Sequence, residues 1–122
     1  MNVHVKIFES AAAVLPPICF EQPPACGLIL GSGWSEALSC GRPLASLPYS
    51  DIPGLGASKV VGHTGEFRLF ERQGLRVAAF LGRRHWYEGE GWAPVILPVE
   101  LLRRMGATRL LVTNAAGGIN PD

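Results

Sequence analysis

The chain has 122 residues, with 11 Lys and Arg against 10 Asp and Glu, so its formal net charge is +1. A charge this close to neutral argues against a nucleic-acid-binding domain, which usually carries a strong basic excess. Hydrophobic residues form 48% and charged residues 17% of the chain, which excludes a disordered protein and indicates a packed core. The 15 glycines and 10 prolines predict many turns.

The cysteines and the hydropathy pattern exclude several further classes of protein. Cys19, Cys26 and Cys40 are odd in number and lack metal-site spacing, so we expect small buried hydrophobes and neither disulfides nor a metal site. No apolar run reaches the roughly 18 residues of a transmembrane helix, and the first residues fit a signal peptide poorly. The sequence predicts a cytoplasmic protein that does not contact a membrane.

The predicted elements follow from hydrophobic periodicity and from the residues that interrupt it. Pro16 ends the first helix, Gln73-Gly74 is the turn of a hairpin, and Gly106 caps the last helix. Continuous apolar runs are typical of buried strands in a parallel or mixed sheet. In chain order the elements are a helix at 3–15, a linker at 21–24, a strand at 26–30, a short helix at 34–39, a loop-rich stretch at 39–62, strands at 66–71 and 75–81, a helix at 94–105 and a third buried strand at 109–113.

This order predicts an α/β protein with a mixed β-sheet flanked by helices. Ligands of open α/β sheets bind at the carboxyl ends of strands, so the loops that follow the strands are the candidate sites. In Gly31-Ser32-Gly33 the glycines let backbone N–H groups approach an anion, and Ser32 adds a hydroxyl. The alternative is a tight turn without a ligand, and the pattern is neither a dinucleotide fingerprint nor a Walker loop.

The loop after the strand at 75–81 carries the second candidate site. If the chain stays extended there, Arg83, His85 and Tyr87 share one face. Arg84 and Trp86 then share the other face. Arg83 and His85 would form a clamp for an oxyanion, because the guanidinium gives a planar donor fork and the imidazole a further donor. A solvated basic turn is the alternative.

Two weaker candidates complete the set. Residues 114–118 (Asn-Ala-Ala-Gly-Gly) leave backbone amides uncovered for a phosphate or sugar, or else pack closely in a turn. His63 lies in a glycine-rich turn, either as an exposed loop residue or as an anion contact. Glu88 and Glu90 are interpreted as solvated. Many anion donors without a convincing nucleophile or general base suit an enzyme whose nucleophile is a bound phosphate.

Four motifs in register resemble the trimeric class of purine nucleoside phosphorylases, from about Cys26 to the end of the chain. They are GLILGSG at 27–33, GHTG at 62–65, GRRHWYEG at 82–89 and VTNAAGGINP at 112–121. The resemblance implies a phosphorylase/hydrolase-like fold and the reversible phosphorolysis of purine nucleosides to free purine and (deoxy)ribose 1-phosphate. This is a glycosyltransferase reaction of purine salvage, carried out by homotrimers of the full-length chain.

The resemblance also gives each candidate residue a role. The residues that would hold phosphate are Ser32, His63, Arg83, His85 and the backbone amide of Ala115. Arg83 and His85 would be catalytic as well, and Tyr87 would face the ribose. Phosphate is a co-substrate, and no cofactor, metal, nucleic acid or membrane is implied.

The resemblance covers only part of a phosphorylase. Residues 1–122 would be the N-terminal part of one domain, with 1–24 as helix and linker and 25–122 as the phosphate-binding half. The purine-binding residues lie in the family's later half, so we expect the isolated chain to turn over no inosine and the strand at 109–113 to leave an open sheet edge. Arg84 and Trp86 depart from the family pattern. The alternatives are a methylthioadenosine phosphorylase and a non-catalytic, truncated anion-binding or interaction module.

Overall fold

The computed structural model describes residues 3–31, 33–39, 41–56 and 65–121. The helices and strands of these residues are α1 (Val3–Val14), β1 (Cys26–Leu30), β2 (Arg42–Pro48), β3 (Glu66–Arg72), β4 (Leu75–Leu81), α2 (Ala93–Arg104) and β5 (Leu110–Val112). Short 3₁₀ turns lie at Pro17–Phe20, Ser35–Leu38, Tyr49–Asp51 and Trp86–Glu88.

The five strands form one mixed sheet in the order β2-β3-β4-β1-β5. Strand β1 is parallel to β4 on one side and to β5 on the other, whereas β2, β3 and β4 are antiparallel to one another. The register places Leu30 opposite Leu81 and Ile29 opposite Val112, so the carboxyl ends of β1, β4 and β5 lie side by side at one end of the sheet. This confirms the predicted α/β class and puts three strand-end loops side by side.

The β3–β4 hairpin is confirmed, and its turn has a local cause. Gln73 has a φ of 52° and Gly74 a φ of 77°. Positive φ at both central residues is the requirement of the two-residue turn that matches strand twist. Gly106, with a φ of 90°, likewise follows the end of α2 as predicted.

The hydrophobic core lies between the sheet and the two helices. Phe67 and Phe80 are fully buried, with ring centroids 5.0 Å apart, and α2 contributes Leu97 and Leu101. Helix α2 approaches β1 so closely that a Cβ on Gly27 would lie 2.7 Å from a methyl carbon of Leu102. Close packing between α2 and β1 therefore sets the distance of the helix from the sheet.

Three expectations about elements were wrong. Strand β2 lies inside the stretch expected to be loop-rich, because a strand at the sheet edge tolerates Pro43 and Pro48. The short helix expected at 34–39 is only the 3₁₀ turn Ser35–Leu38. The strand expected at 109–113 forms as β5 at the other sheet edge, which is the open edge that was expected, but the predicted burial is wrong because residues at that edge are 44–55% exposed.

The end of α2 supplies a testable pH dependence. Hydrogen bonds from Arg103, and then from Arg104, lower the pKa of Glu100 from 4.5 to about 2. A carboxyl group with a lowered pKa stabilises the fold above pH 4.5, and that contribution is lost as the pH falls towards 2. We therefore expect Glu100→Gln to lose less stability than the unmodified chain between pH 4.5 and 2, measured by urea unfolding. Glu9→Gln, on the exposed face of α1, is the control, and equal pH slopes for all three chains would contradict the prediction.

Candidate functional site

Thr113 joins the three strand ends that carry the candidate residues. Its hydroxyl accepts a hydrogen bond from the Gly31 backbone N–H at 2.9 Å, just before Ser32. Its carbonyl oxygen accepts one from Nη1 of Arg83 at 2.7 Å. The loops after β1, β4 and β5 therefore meet at one residue, and the Arg83 guanidinium lies beside the start of segment 114–118. Because arginine has five N–H donors, Arg83 has further donors for an anion.

The imidazole of His85 stacks on the phenol ring of Tyr87, with centroids 4.7 Å apart and planes 19° from parallel. The condition on which Arg83, His85 and Tyr87 would share one face of an extended chain is not met, because the 3₁₀ turn Trp86–Glu88 interrupts the extended chain. Gly89, with a φ of 81°, closes that turn. The turn brings the two rings into contact, which strict alternation along a strand would not do.

Arg84 and Glu88 of this loop differ most from expectation. Arg84 is 3% exposed, and its Nε donates to Oε2 of Glu88 at 3.0 Å. Its other nitrogens donate to the Glu90 carboxylate and to the Leu55 carbonyl oxygen. Glu88, predicted to be solvated, has a side chain only 8% exposed. Glu90 is exposed as predicted, but it is also ion-paired with Arg84. Sequence reasoning placed Arg84 on the face opposite Arg83 and His85 and gave it no partner, although the i,i+4 spacing of Arg84 and Glu88 was a signal for their pairing.

The environment of Glu88 keeps its carboxyl group ionised. Burial by itself would raise its pKa, but hydrogen bonds from the His85 backbone N–H at 2.8 Å and from Arg84 outweigh burial and lower it. Glu88 thus accepts two charge-assisted hydrogen bonds from its own loop. It acts in this geometry as an acceptor within the loop and not as a general base.

Tyr49 contacts Gly82, directly after β4, and Gly65, directly before β3. Its ring is buried, its hydroxyl donates to the Gly82 carbonyl oxygen at 2.5 Å, and its backbone N–H donates to the Gly65 carbonyl at 3.0 Å. A Cβ on Gly65 would overlap the Tyr49 ring, so glycine is required there. Burial raises the pKa of the Tyr49 phenol, which therefore stays a neutral donor. Sequence reasoning missed this residue because its stretch was interpreted as loop.

Tyr49→Phe removes only the hydroxyl that donates a hydrogen bond to the Gly82 carbonyl oxygen. We expect the free energy of unfolding to fall by about 1–2 kcal/mol, the range for a lost hydrogen bond that leaves a partly buried carbonyl without that donor. Urea unfolding followed by circular dichroism measures the loss. Tyr87→Phe is the matched control, because Tyr87 is exposed. A Tyr49→Phe variant as stable as the control would contradict the assigned hydrogen bond.

The remaining predicted residues have different outcomes. Ser32 and His63 lie outside the described residues, although Gly31 and Gly65 of the same two motifs are described and border the site. Ala115 lies in an exposed segment just beyond Thr113. The structure therefore brings Arg83 to the Ala115 segment and His85 to Tyr87. The roles of all these residues towards phosphate and ribose remain predictions.

The described residues contain no cluster of three or more His, Cys, Asp or Glu side chains that could hold a metal ion. Burial raises the pKa of the Cys19 thiol to about 11, so Cys19 is a protonated core residue and not a nucleophile. Cys26 is half-buried, and Cys40 lies outside the described residues. Within the described ranges, no helix is both long and apolar enough to cross a bilayer.

Comparison with known proteins decides the family. Purine nucleoside phosphorylase 1 of Geobacillus stearothermophilus is 41% identical over 101 residues, which are 83% of this chain and 37% of that protein. Purine nucleoside phosphorylase 1 of Bacillus subtilis (strain 168) is 41% identical over 114 residues, 93% of this chain and 42% of that protein. The chain is homologous to part of purine nucleoside phosphorylase. It spans about two fifths of the length of these relatives.

Solved structures of purine nucleoside phosphorylases agree with this assignment. The enzyme of Schistosoma mansoni in complex with acetate matches 98% of this chain and 44% of its own, with a TM-score of 0.78 and 30% sequence identity. The same organism's enzyme in complex with inosine matches 99% of this chain and 42% of its own, with a TM-score of 0.76. No protein-family model matches the chain. The match to these structures extends over nearly the whole of this chain.

Proposed function

We propose that this chain supplies the phosphate-binding part of a phosphorylase that converts purine nucleosides and phosphate into free purine and (deoxy)ribose 1-phosphate. The observation that supports it most is the junction at Thr113, where the end of β1, Arg83 and the 114–118 segment meet. Homology to purine nucleoside phosphorylases names the reaction. One S. mansoni relative was solved with inosine and a second with cytosine and ribose-1-phosphate.

The chemistry fits a site of donors without a protein nucleophile. In the proposed reaction, a phosphate oxygen attacks the anomeric carbon as the glycosidic bond breaks, and the departing purine takes the bonding electron pair. Arg83, His85, Ser32, His63 and the amide of Ala115 would hold the phosphate. A fixed anion stabilises the positive charge that develops on the sugar, so orientation and electrostatics supply the acceleration. Tyr87, stacked on His85, would contact the ribose.

The purine-binding residues would come from the part of a phosphorylase that the present chain does not span. Leu110, Leu111 and Val112 are exposed on β5, at the sheet edge beside the proposed site. Such an edge offers unpaired backbone groups to a further strand. The layout of residues 25–122 as a phosphate-binding half belongs to this proposal. The homotrimer of full-length chains and the cytoplasmic location stay predictions from the sequence.

A chimaera tests the proposed function. The matching 101 residues of the Geobacillus stearothermophilus enzyme are replaced by the aligned residues of this chain, and phosphorolysis of inosine is measured against the parent enzyme. We expect an active chimaera, and loss of activity in the chimaera with Arg83→Met. A folded but inactive chimaera, beside an active parent, would refute the proposal.

The isolated chain provides the second arm of this test. We expect it to bind inorganic phosphate weakly and to release no hypoxanthine from inosine, because it would contain no purine-binding residues. Measurable phosphorolysis by the purified 122-residue chain would contradict the assignment of a partial site.

A further inference from the structure

Arg84 departs from the phosphorylase pattern. Among the residues that the structure describes, it is the one charged residue that is buried. One guanidinium reaches three acceptors: the Glu88 carboxylate, the Glu90 carboxylate and the carbonyl oxygen of Leu55. A charge with so little exposure is tolerated only where each donor has a partner. Three acceptors around one planar fork are a specific arrangement, which a lysine ammonium cannot reproduce.

These contacts connect two loops that carry predicted phosphate ligands. Leu55 lies shortly before the segment with His63, whereas Glu88 and Glu90 belong to the loop with Arg83 and His85. Gly56, with a φ of 63°, passes so close to Arg84 that a Cβ there would lie 3.3 Å from Nη1. Backbone on one side of the guanidinium and carboxylates on the other therefore fix it in place.

Glu88 transmits the position of Arg84 to the backbone of His85. The same Oε2 atom accepts from Nε of Arg84 at 3.0 Å and from the His85 backbone N–H at 2.8 Å. The turn that this hydrogen bond begins brings the His85 ring onto Tyr87. A carboxylate oxygen shared in this way makes the orientation of His85 depend on the guanidinium.

We propose that Arg84 is a positioning residue, which holds Arg83, His85 and Tyr87 in the arrangement that phosphate binding requires without contacting phosphate itself. This inference rests on the proposed function in naming phosphate as the ligand, whereas the geometry of the loop can be measured without any ligand. The proposal also requires the guanidinium fork, and not merely a positive charge at position 84.

The experiment follows the ring protons of His85 in the isotopically labelled full chain by NMR, first alone and then during titration with inorganic phosphate. Stacking on Tyr87 shifts these signals upfield. We expect both Arg84→Met and Arg84→Lys to lose most of that shift. We also expect them to bind phosphate about tenfold or more weakly, as small misplacements of a binding group typically cost. Arg68→Met, which removes the partner of Glu66 on β3, is the matched control and is expected to change neither value.

Each outcome bears on the proposal. Wild-type ring shifts and phosphate affinity in Arg84→Lys would overturn it, and this variant alone decides if Arg84→Met does not fold. Recovery of phosphate affinity in Arg84→Met/Glu90→Gln would also overturn it, since charge balance would then be the whole effect. If the unmodified chain shows no response to phosphate, the proposed phosphate site fails in this chain, while the ring shifts still decide the role of Arg84.

Discussion

Replacing Phe80 with alanine is expected to lower the free energy of unfolding by about 3–5 kcal/mol, the range for removal of a buried aromatic side chain. Phe80 is fully buried. The centroid of its ring lies 5.0 Å from that of Phe67 and 6.2 Å from that of Tyr49. It sits on β4, two residues before Gly82, so the cavity would open beneath the proposed site. Small domains are stable by only about 5–15 kcal/mol, so the loss is a large part of the total.

Urea unfolding of Phe80→Ala against Leu75→Ala makes the measurement specific. Leu75 begins the same strand but is 58% exposed, so its truncation is expected to cost far less. A loss below about 1 kcal/mol for Phe80→Ala would mean that the ring is not packed as described.

Arg83→Met is expected to weaken the binding of inorganic phosphate by about 10- to 100-fold, because hydrogen bonds to charged groups contribute about 1.5–3 kcal/mol. The substitution also removes the donor that ties β4 to the Thr113 carbonyl oxygen. Both effects act at the junction of strand ends, so this variant is the most direct probe of the proposed anion site.

Arg42→Met is the matched control for Arg83→Met. It removes the same charge from the chain, but Arg42 lies on the exposed face of edge strand β2, paired with Glu71 at 3.0 Å. NMR titration with phosphate at constant ionic strength gives both affinities. Equal affinities for the two variants would show that any phosphate effect reflects net charge and not a site.

The elements that could be predicted are those with local signals. The hairpin turn at Gln73-Gly74 requires positive φ at both residues, and the end of α2 before Gly106 is a glycine-terminated helix. Strand β2 had no such signal, since its prolines and polar residues are tolerated only because its outer edge is unpaired. Its recognition needed β3 as a partner, and strand pairing is not local.

The candidate site was predicted in part. The motifs placed Arg83, His85 and Tyr87 in one loop, and the structure stacks His85 on Tyr87. The same motifs gave no information on Tyr49, which contributes from a distant stretch. Glu88 was interpreted as solvated, because its i,i+4 spacing from Arg84 indicates a pair but does not say that the pair is buried.

The sequence by itself predicted the class of fold and the strand-end loops, because these follow from hydrophobic periodicity and from residues spaced along one stretch of chain. The family was indicated by the resemblance of four motifs and rests on the comparison with known proteins. Only the tertiary structure decided that Thr113 joins three loops and that Arg84 is buried. Burial depends on which segments lie against a residue, and those segments are distant in sequence. For the same reason, only the tertiary structure shows that Glu88, predicted to be solvated, is buried in an ion pair with Arg84.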